Sequence, residues 1–344
     1  MPKPTVSVII PAFNRAQFIG NAIRSILHQS LREFELIVVD DGSTDGTAQV
    51  VRSFDDPRLS LIRHDRNRGI PAARNTGLEN ARGTFIAWLD SDDVARPQRL
   101  AEQVQFLKAR PQIKMVGACA GKIGPGGIPV KGTRVPPLSR SDISAWLLFR
   151  SPFQQSSIMG NGEVMRSFGY REEFPVCEDL DVFIRMARSH PVENMPRVLI
   201  DRRIHANQSI RLHGQAVMDC SVRLVSGPLA ELGMCFSEVD LRRHVLLGKP
   251  WAGKERPDKA YLQWADDWMQ QLREANRRSG LVDGKALDLA TSFFWLLTCK
   301  AAGRGVGHAR VAATYMKSRL SIGLASSHAR SWIGTALGLM LLGG

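Results

Sequence analysis

The chain has 344 residues, 44% hydrophobic and 23% charged, which is typical of a globular protein with room for about two domains. Its formal charge is +13. Residues 1–200 contain 26 basic and 21 acidic side chains, and residues 201–344 contain 20 basic and 12 acidic ones, so the excess is concentrated in the second part. Such a basic surface favours nucleic acid, anionic lipid or an anionic substrate. No recognised nucleic-acid module appears, so we expect no nucleic-acid partner.

The five cysteines are scattered, odd in number and without a CxxC pair. This pattern argues against a disulfide scaffold or a zinc site and fits a reducing compartment. The start of the chain lacks the long apolar segment of a signal peptide. The longest uncharged apolar stretch, Trp332–Gly344, would span about 20 Å as a helix, short of a hydrocarbon core of roughly 30 Å. We therefore expect a cytoplasmic protein, with a peripheral position on the inner face of the plasma membrane left open.

Strands and helices alternate through the first half of the chain at the spacing of β-α units. This alternation predicts an α/β fold with a doubly wound, mostly parallel sheet. The predicted strands are Val6–Ile10 (stopped by Pro11), Phe34–Val39, Leu59–Arg63 and Thr84–Leu89, and the predicted helices are Phe18–Gln29, one through Val50 and Val51, and Gly69–Ala81.

The second half changes from mixed elements to helices. We expect Arg99, Gln103 and Arg110 on the exposed face of a helix over Pro97–Lys108, and a Gly- and Pro-rich loop over Gly121–Gly132. From about Gln215 the pattern is helical to the end, so the predicted domains are 1–214 and 215–344. The remaining predictions are strands Met115–Ala120, Ser156–Met159 and Val198–Ile204, and helices Asp142–Phe149 and Cys177–Ala187.

Three aspartates, Asp90, Asp92 and Asp93, follow directly after the buried strand Thr84–Leu89. Ligands of open α/β sheets bind at the carboxyl ends of the strands. Crowded carboxylates repel one another unless a cation or hydrogen-bond donors compensate, and oxygen ligands suit Mg²⁺ or Mn²⁺. A polar loop without a ligand is the alternative.

Polar clusters follow other predicted strands in the same way. They are Pro11–Arg15, Asp40–Ser43 and Asn67–Gly69, and Arg74 follows on the next helix. Loops at the carboxyl ends of neighbouring parallel strands converge in space. A crevice with a metal, two arginines and an aromatic ring suits a nucleoside diphosphate that bears a leaving group.

Five segments, in this order, resemble the motifs of family 2 glycosyltransferases, which have the GT-A fold. They are VSVIIPAFNR, ELIVVDDGSTD, NRGIPAARNTG, IAWLDSDD and EDLD, between residue 6 and residue 181. The resemblance covers residues 5 to about 210. It implies inverting, metal-dependent sugar transfer from a UDP- or dTDP-linked donor, in cell-envelope or exopolysaccharide assembly. The chain lacks the RW pair of processive members, so we expect it to add one sugar or a few.

The resemblance also implies roles for individual residues. Asp41 would bind the nucleotide base, Phe13 would pack against that base, and Arg15 and Arg74 would contact phosphate or donor sugar. Asp90, Asp92 and His205 would hold Mn²⁺ or Mg²⁺, while Asp93 is expected to support or cap the turn. The full set of expected nucleotide and donor contacts is Pro11, Phe13, Arg15, Asp41, Arg74, Asp90 and Ser91.

The candidate general base is Asp179, followed by Glu178 and then Asp181; capping of its own helix is the alternative role for Asp179. The alternative function is a non-catalytic nucleotide-sugar-binding or scaffold subunit of a glycan-assembly complex. In such a subunit the catalytic motifs would be expected to degenerate, whereas in this chain every motif position is filled. A nucleotidyltransferase would carry a Gly-rich loop with a lysine near the first strand, where this chain has Phe13-Asn14-Arg15.

The tail holds five of the seven tryptophans and a dense apolar cluster, Phe293–Leu297. One interpretation is a helical subdomain that packs on the catalytic core or on a second copy of the chain, as a homodimer. The other is a peripheral membrane surface, because no acid follows Asp288. The acceptor, an unknown glycan or a lipid-linked one, is expected to contact Gly121–Gly132, Gln154–Ser157 and the tail.

Overall fold

The chain divides into two compact units. A computed structural model describes residues 3–205, 214–249, 256–330 and 333–334. The first unit holds residues 3–138 and 153–205, and the second holds 139–152 and the described residues from 214 onward. The division expected from the sequence placed 139–152 in the first domain. Trp251, Trp332 and most of the stretch to Gly344 lie outside the described residues.

Among the described residues, eight strands form one mixed sheet in the first unit, in the order β3-β2-β1-β4-β7-β6-β8-β5. The four strands β3, β2, β1 and β4 are parallel, β7 is antiparallel to β4 and β6, and β5 is antiparallel to β8. The α/β prediction is confirmed. The strands are β1 (Val6–Ala12), β2 (Phe34–Asp40), β3 (Leu59–Arg63), β4 (Phe85–Trp88), β5 (Val94–Ala95), β6 (Met115–Ile123), β7 (Met159–Asn161) and β8 (Val192–Arg203).

The helices divide between the units. The first unit contains α1 (Ile19–Leu27), α2 (Thr47–Arg52), α3 (Ile70–Asn80), α4 (Arg99–Ala109), α6 (Gly162–Phe168) and α7 (Glu178–Ser189). The second contains α5 (Arg140–Leu147), α8 (Gly214–Glu231), α9 (Glu238–Gly248), α10 (Lys259–Ser279), α11 (Gly284–Val306) and α12 (His308–Lys317), so the predicted helical tail is present.

Strand β1 continues through Pro11 to Ala12, so the prediction that Pro11 ends the strand is wrong. The amide of Leu89 donates to the carbonyl of Ile9, and the amide of Asp41 donates to that of Ala12. Backbone groups alternate in direction along a strand, so Pro11 points to the β4 side. Pairing with β4 ends at Ile9 and Trp88. The missing N–H of proline therefore removes no ladder bond here.

Helix α4 has a buried polar face, so the prediction that Arg99 and Gln103 are exposed is wrong. Both side chains are 0% exposed. Arg99 Nη2 donates to the carbonyls of Trp88 (2.8 Å) and Ile158 (3.2 Å), and Gln103 Nε2 donates to that of Ser157 (2.7 Å). These bonds satisfy backbone groups beside the end of β4, which explains why polar side chains are buried there.

Two other predicted segments also differ. The predicted loop after residue 120 begins later, because β6 continues to Ile123 and pairs in parallel with β8 along its length. The segment Gln155–Ser157 forms a 3₁₀ helix rather than the start of a strand, and β7 follows it.

The second unit has its own aromatic core. Phe294 and Trp295 of α11 are 0% exposed, and Trp268 of α10 is buried with them. Trp268 Nε1 donates to His244 Nδ1 (2.9 Å), and His244 Nε2 donates to the carbonyl of Leu148 (2.6 Å). Burial lowers the pKa of His244 to about 4, so this ring is a neutral bridge between 139–152 and the later helices.

The apolar cluster of α11 is thus mainly core, which removes it from the membrane-surface interpretation. Within the cluster Phe293–Leu297, the side chain of Leu296 is exposed, at 40%. Within the ranges that the structure describes, no helix is both long enough and apolar enough to cross a bilayer.

Candidate active site

The candidate site begins where strands β1, β2 and β4 end. Ala12 pairs with Asp40, and Ile9 pairs with Trp88, so the three following loops leave the same edge of the sheet. This is the edge at which ligands of open α/β sheets bind. Pro11 and Ser91 lie at this edge as predicted, Pro11 half-buried and Ser91 buried.

The loop after β1 presents an aromatic ring to solvent. Asn14 adopts a left-handed φ of +51°, which asparagine tolerates better than most residues. Its amide donates to Ser43 Oγ (2.9 Å), and its Oδ1 accepts from the amide of Thr44 (2.9 Å). Arg15 Nη1 donates to the carbonyls of Phe13 and Asn14. Phe13 is 38% exposed, so its ring is available to stack against a ligand.

Asp41 organises the loop after β3. Its carboxylate is buried and accepts from His64 Nδ1 (2.7 Å) and from the amides of Arg68 (2.9 Å) and Gly69 (2.8 Å). Gly42 has a φ of +70°, and a Cβ there would lie 2.4 Å from the backbone of Arg66, so glycine is required. Oδ2 of Asp41 accepts a single bond and keeps capacity for a further donor.

Arg74 joins three elements at the centre of the site. Its Nη2 lies 3.4 Å from Asp90 Oδ1 and 3.3 Å from Glu178 Oε1. The guanidinium lies over the rings of Trp88 and Tyr170, at 5.4 and 5.2 Å from their centroids. Burial opposes its charge, yet the neighbouring carboxylates raise its pKa above the usual value. Its buried Nε and Nη1 have no hydrogen-bond partner among the described residues.

The observed contacts of Arg74 are with protein carboxylates, whereas its predicted role is to contact phosphate or donor sugar. Its Nη2 positions two carboxylates that come from β4 and α7, rather than projecting into open space. Its contact with phosphate or donor sugar remains a prediction.

The first turn of α7 supplies three acids with different surroundings. Glu178 is buried, and burial followed by the charge of Asp179 raises its pKa to about 7, although Arg74 opposes the rise. Asp179 is half-buried, and its Oδ1 accepts from the amide of Leu180 (2.7 Å). Asp181 is buried in ion pairs with Arg171 and Arg185, a structural arrangement that removes it as a candidate base.

The turn after β4 separates its three aspartates. Burial raises the pKa of Asp90, and Asp92 and Asp179 add to the rise while Arg74 opposes it. Asp93 is fully buried and accepts from Ser156 Oγ and from the amide of Arg203 (2.9 Å). Asp93 thus supports the turn, as predicted, and is not placed to bind a ligand.

Asp92 and His205 form the nearest pair of metal-ligand side chains. His205 Nε2 donates to Asp92 Oδ2 (2.8 Å), and both side chains are largely buried. No group of three potential ligands is close enough to hold a metal within the described ranges. The carboxylate of Asp92 is nevertheless a ligand that suits Mn²⁺ or Mg²⁺, because such ions complete their shells with substrate phosphates and water. Asp90 lies two residues away on the same turn.

Sequence reasoning missed several supporting residues. Asn75 Nδ2 donates to the carbonyl of Tyr170 (2.8 Å), and this bond holds the tyrosine against Arg74. Ser156 and Arg203 bind the aspartate turn from distant positions in the chain. Cys177, which precedes α7, has a left-handed φ of +61°, a strained conformation for a residue other than glycine. Asn75 lies in the third motif, and Ser156 lies in the segment Gln154–Ser157 that was expected to contact the acceptor.

The chain is similar in sequence to known glycosyltransferases. The model of the glycosyl transferase family 2 matches residues 7–161, from β1 to β7. An uncharacterized glycosyltransferase of Haemophilus influenzae is 29% identical over 217 residues, 60% of this chain and 67% of that protein. The succinoglycan biosynthesis protein ExoO of Rhizobium meliloti is 47% identical over 102 residues, 30% of this chain. The chain spans 29% of the length of ExoO.

A solved structure matches most of the chain. Residues 1–349 of TarS from S. aureus, in complex with UDP-GlcNAc, align with a TM-score of 0.55 over 90% of this chain and 89% of that one. The sequence identity is 17%, so the likeness is one of fold.

Proposed function

The chain belongs to the glycosyl transferase family 2 and has the GT-A fold, and from this premise we propose that it moves a sugar from a nucleoside diphosphate to an acceptor hydroxyl, with inversion at the anomeric carbon. The observation that carries the proposal is the junction at Arg74. It brings Asp90, from the turn expected to bind the donor, next to Glu178 and thereby to Asp179, the candidate base. The groups proposed for binding and for proton transfer thus lie close together.

The nucleotide would bind along the ends of β1 and β2. Phe13 offers an exposed ring for the base, and Asp41 keeps acceptor capacity on Oδ2 beside it. Arg15 lies next to Phe13 and would contribute positive charge to the diphosphate or donor sugar. Pro11 and Ser91 would line the same edge. A UDP- or dTDP-linked donor is proposed, and the complex of TarS with UDP-GlcNAc supports the uridine form.

A divalent ion belongs to the proposal. Asp92, His205 and Asp90 would hold Mn²⁺ or Mg²⁺, which when bound neutralises the charge that develops on the diphosphate as it leaves. His205 Nε2 lies 2.8 Å from Asp92 Oδ2, so the two side chains proposed to hold the ion already face each other.

Asp179 is the proposed general base. Its Oδ2 has no partner among the described residues, whereas Glu178 is engaged with Arg74 and Asp181 with two arginines. The acceptor oxygen would attack the anomeric carbon as the bond from that carbon to the diphosphate oxygen breaks. The hydroxyl proton passes to Asp179, the electron pair leaves with the nucleoside diphosphate, and no covalent enzyme intermediate forms.

The wider setting is proposed from the relatives. ExoO is named for succinoglycan biosynthesis, so we assign this chain to exopolysaccharide or cell-envelope glycan assembly, adding one sugar or a few to a glycan or lipid-linked acceptor. Its five cysteines form no disulfide, which suits the cytoplasm. We propose residues 1–214 as the catalytic domain, with the helical segment 139–152 packed into the second unit.

The first experiment tests binding and turnover together. UDP-, dTDP- and GDP-sugars would be screened with Mn²⁺ by thermal shift and by donor hydrolysis. Asp179→Asn is expected to keep donor binding and lose about 10²- to 10⁴-fold in turnover. The control is Glu172→Gln, an exposed acid on the loop before α7, which should change neither. Failure to bind any nucleotide sugar would reject the proposed function. Donor binding without turnover in the parent protein would favour the non-catalytic scaffold. Full turnover in Asp179→Asn would reject the base assignment alone.

A further inference from the structure

A cavity in the second unit is lined by arginines. It has a volume of about 260 Å³ and lies between α10, the beginning of α11 and the 3₁₀ helix Arg319–Ala325. Its lining includes Arg273, Arg277, Arg319 and one acid, Asp288. Arg273 is ion-paired with Asp288 and Arg277 with Glu274, so Arg319 supplies the unpaired positive charge of this lining within the described residues. None of these residues takes part in the candidate active site. The excess of positive charge in so small a space favours an anionic group.

Two of the arginines have unused donor capacity. Arg273 Nε and Nη2 bind Thr291, Ser292 and Asp288, which fixes its guanidinium in the wall of the cavity. Its Nη1 has no partner within the described residues. Arg319 is exposed and makes no hydrogen bond or ion pair with any residue that the structure describes. A fixed guanidinium and an unpaired one at the same cavity resemble the arginine pairs that bind oxyanions.

The same 3₁₀ helix exposes apolar surface beside Arg319. Side chains three residues apart lie on one face of a 3₁₀ helix, so Ile322 shares a face with Arg319. Ile322 is 69% exposed, and Met316, near the end of α12 and outside the 3₁₀ helix, is 72% exposed. The opposite face is anchored, because Leu320 is fully buried and a Cβ on Gly323 would meet Ser292 Oγ at 2.1 Å. The outward face of the 3₁₀ helix therefore combines a cation, Arg319, with an apolar side chain, Ile322.

We propose that this face of the helical unit docks on an anionic lipid surface, with a headgroup phosphate in the cavity between Arg273 and Arg319. Ile322 and Met316 would enter the boundary of the acyl chains. The exposed apolar side chains favour a lipid over a soluble phosphate or an acidic glycan, since neither of those offers them a nonpolar partner. The absence of acids after Asp288 in the sequence removes a source of repulsion. The proposal does not depend on the transfer reaction.

Vesicle flotation with the full chain tests the proposal. Vesicles of phosphatidylcholine alone would be compared with vesicles in which part is replaced by phosphatidylglycerol. Arg319→Gln is expected to lower the partition coefficient on the anionic vesicles about fivefold, the effect typical of one cationic residue near such a surface. Ile322→Ser should also lower partitioning. Because Arg319 has no hydrogen-bond or ion-pair partner among the described residues, its replacement is not expected to disturb folding, which a thermal melt would verify.

The matched control is Arg304→Gln. Arg304 is an exposed arginine on α11, about 24 Å along that helix from Asp288 in the cavity lining, and its replacement removes the same charge. An equal loss in both arginine variants would show diffuse attraction and overturn the role of the cavity. Equal recovery on neutral and anionic vesicles would overturn lipid docking itself. Calorimetric binding of inorganic phosphate that Arg319→Gln abolishes, with unchanged flotation, would identify a soluble ligand and also refute the proposal.

Discussion

The buried carboxyl of Glu178 makes a prediction about stability and pH. Its side chain is buried beside Arg74 and close to Asp179, and its pKa is raised by burial to about 7. A group with a raised pKa binds its proton more tightly in the folded state than in the unfolded state. Its contribution is fully present below the unfolded pKa and is lost as pH rises through the folded pKa.

The size of the effect follows from the two pKa values. Raising the pKa from 4.5 to about 7 corresponds to a loss of about 3 kcal/mol of unfolding free energy across that interval. Glu178→Gln removes the titrating carboxyl. Any other effect of the substitution on the unfolding free energy should be the same at every pH. The stability of the variant relative to the parent should therefore rise by about 3 kcal/mol between acidic and mildly alkaline pH.

Hydrogen–deuterium exchange of peptides that cover β4 reports on the first unit without interference from the second. Parent and variant would be compared at the same pH, so that intrinsic exchange rates cancel, and in metal-free buffer. Glu79→Gln, an exposed acid on α3, is the control and should follow the parent at every pH. A parent–variant difference that stays constant with pH would refute the reasoning. A difference of the opposite sign would mean that attraction to Arg74 outweighs burial.

Three further predictions concern binding and the hidden face of α4. Asp92→Asn and His205→Ala should each weaken Mn²⁺-dependent UDP binding by about tenfold or more, as measured by calorimetry. UDP binding measured in the presence of a chelator should be unchanged, and an equal loss of affinity there would contradict the metal assignment. Phe13→Ala should cost about 1–3 kcal/mol of UDP affinity while Phe13→Tyr keeps it, and an unaffected alanine variant would exclude stacking. Arg99→Met should lower the unfolding free energy in urea by about 3 kcal/mol, because it removes the buried cation that donates to the carbonyl of Trp88 and to Gln103 Oε1. Arg110→Met, at the end of the same helix, should be nearly neutral, and similar losses in the two variants would refute this distinction.

The parallel half of the fold was predictable because its signals are local. Residues 6–10 of β1 and the whole of β2 are buried, so a run of mainly hydrophobic residues identifies these strands. The loops that follow were placed together correctly, since parallel strands present their carboxyl ends at one edge. Asp41, Asp90 and Phe13 therefore lie where the sequence indicated.

The rest depended on contacts between distant residues. Arg99 and Gln103 looked like a solvated helix face, and nothing nearby in sequence reveals the carbonyls of Trp88 and Ser157 that they satisfy. The sequence of the helix Arg140–Leu147 does not indicate which of the two units the helix packs into. Its place follows from the bond between Leu148 and His244, 96 residues later. The periodicity of hydrophobic residues identifies the apolar face of a helix. It does not indicate which groups contact the polar face.

Three arginines from different parts of the chain converge on the turn that carries the aspartates. Arg99 of α4 donates to the carbonyl of Trp88, Arg203 of β8 donates to that of Asp92, and Arg74 of α3 pairs with Asp90. Clustered carboxylates would otherwise repel one another and open the turn. Because these cations belong to the protein, the turn is held before a donor or a metal arrives, which lowers the cost of ordering the site on binding. The structure thus accounts for an acid-rich site that is formed in advance.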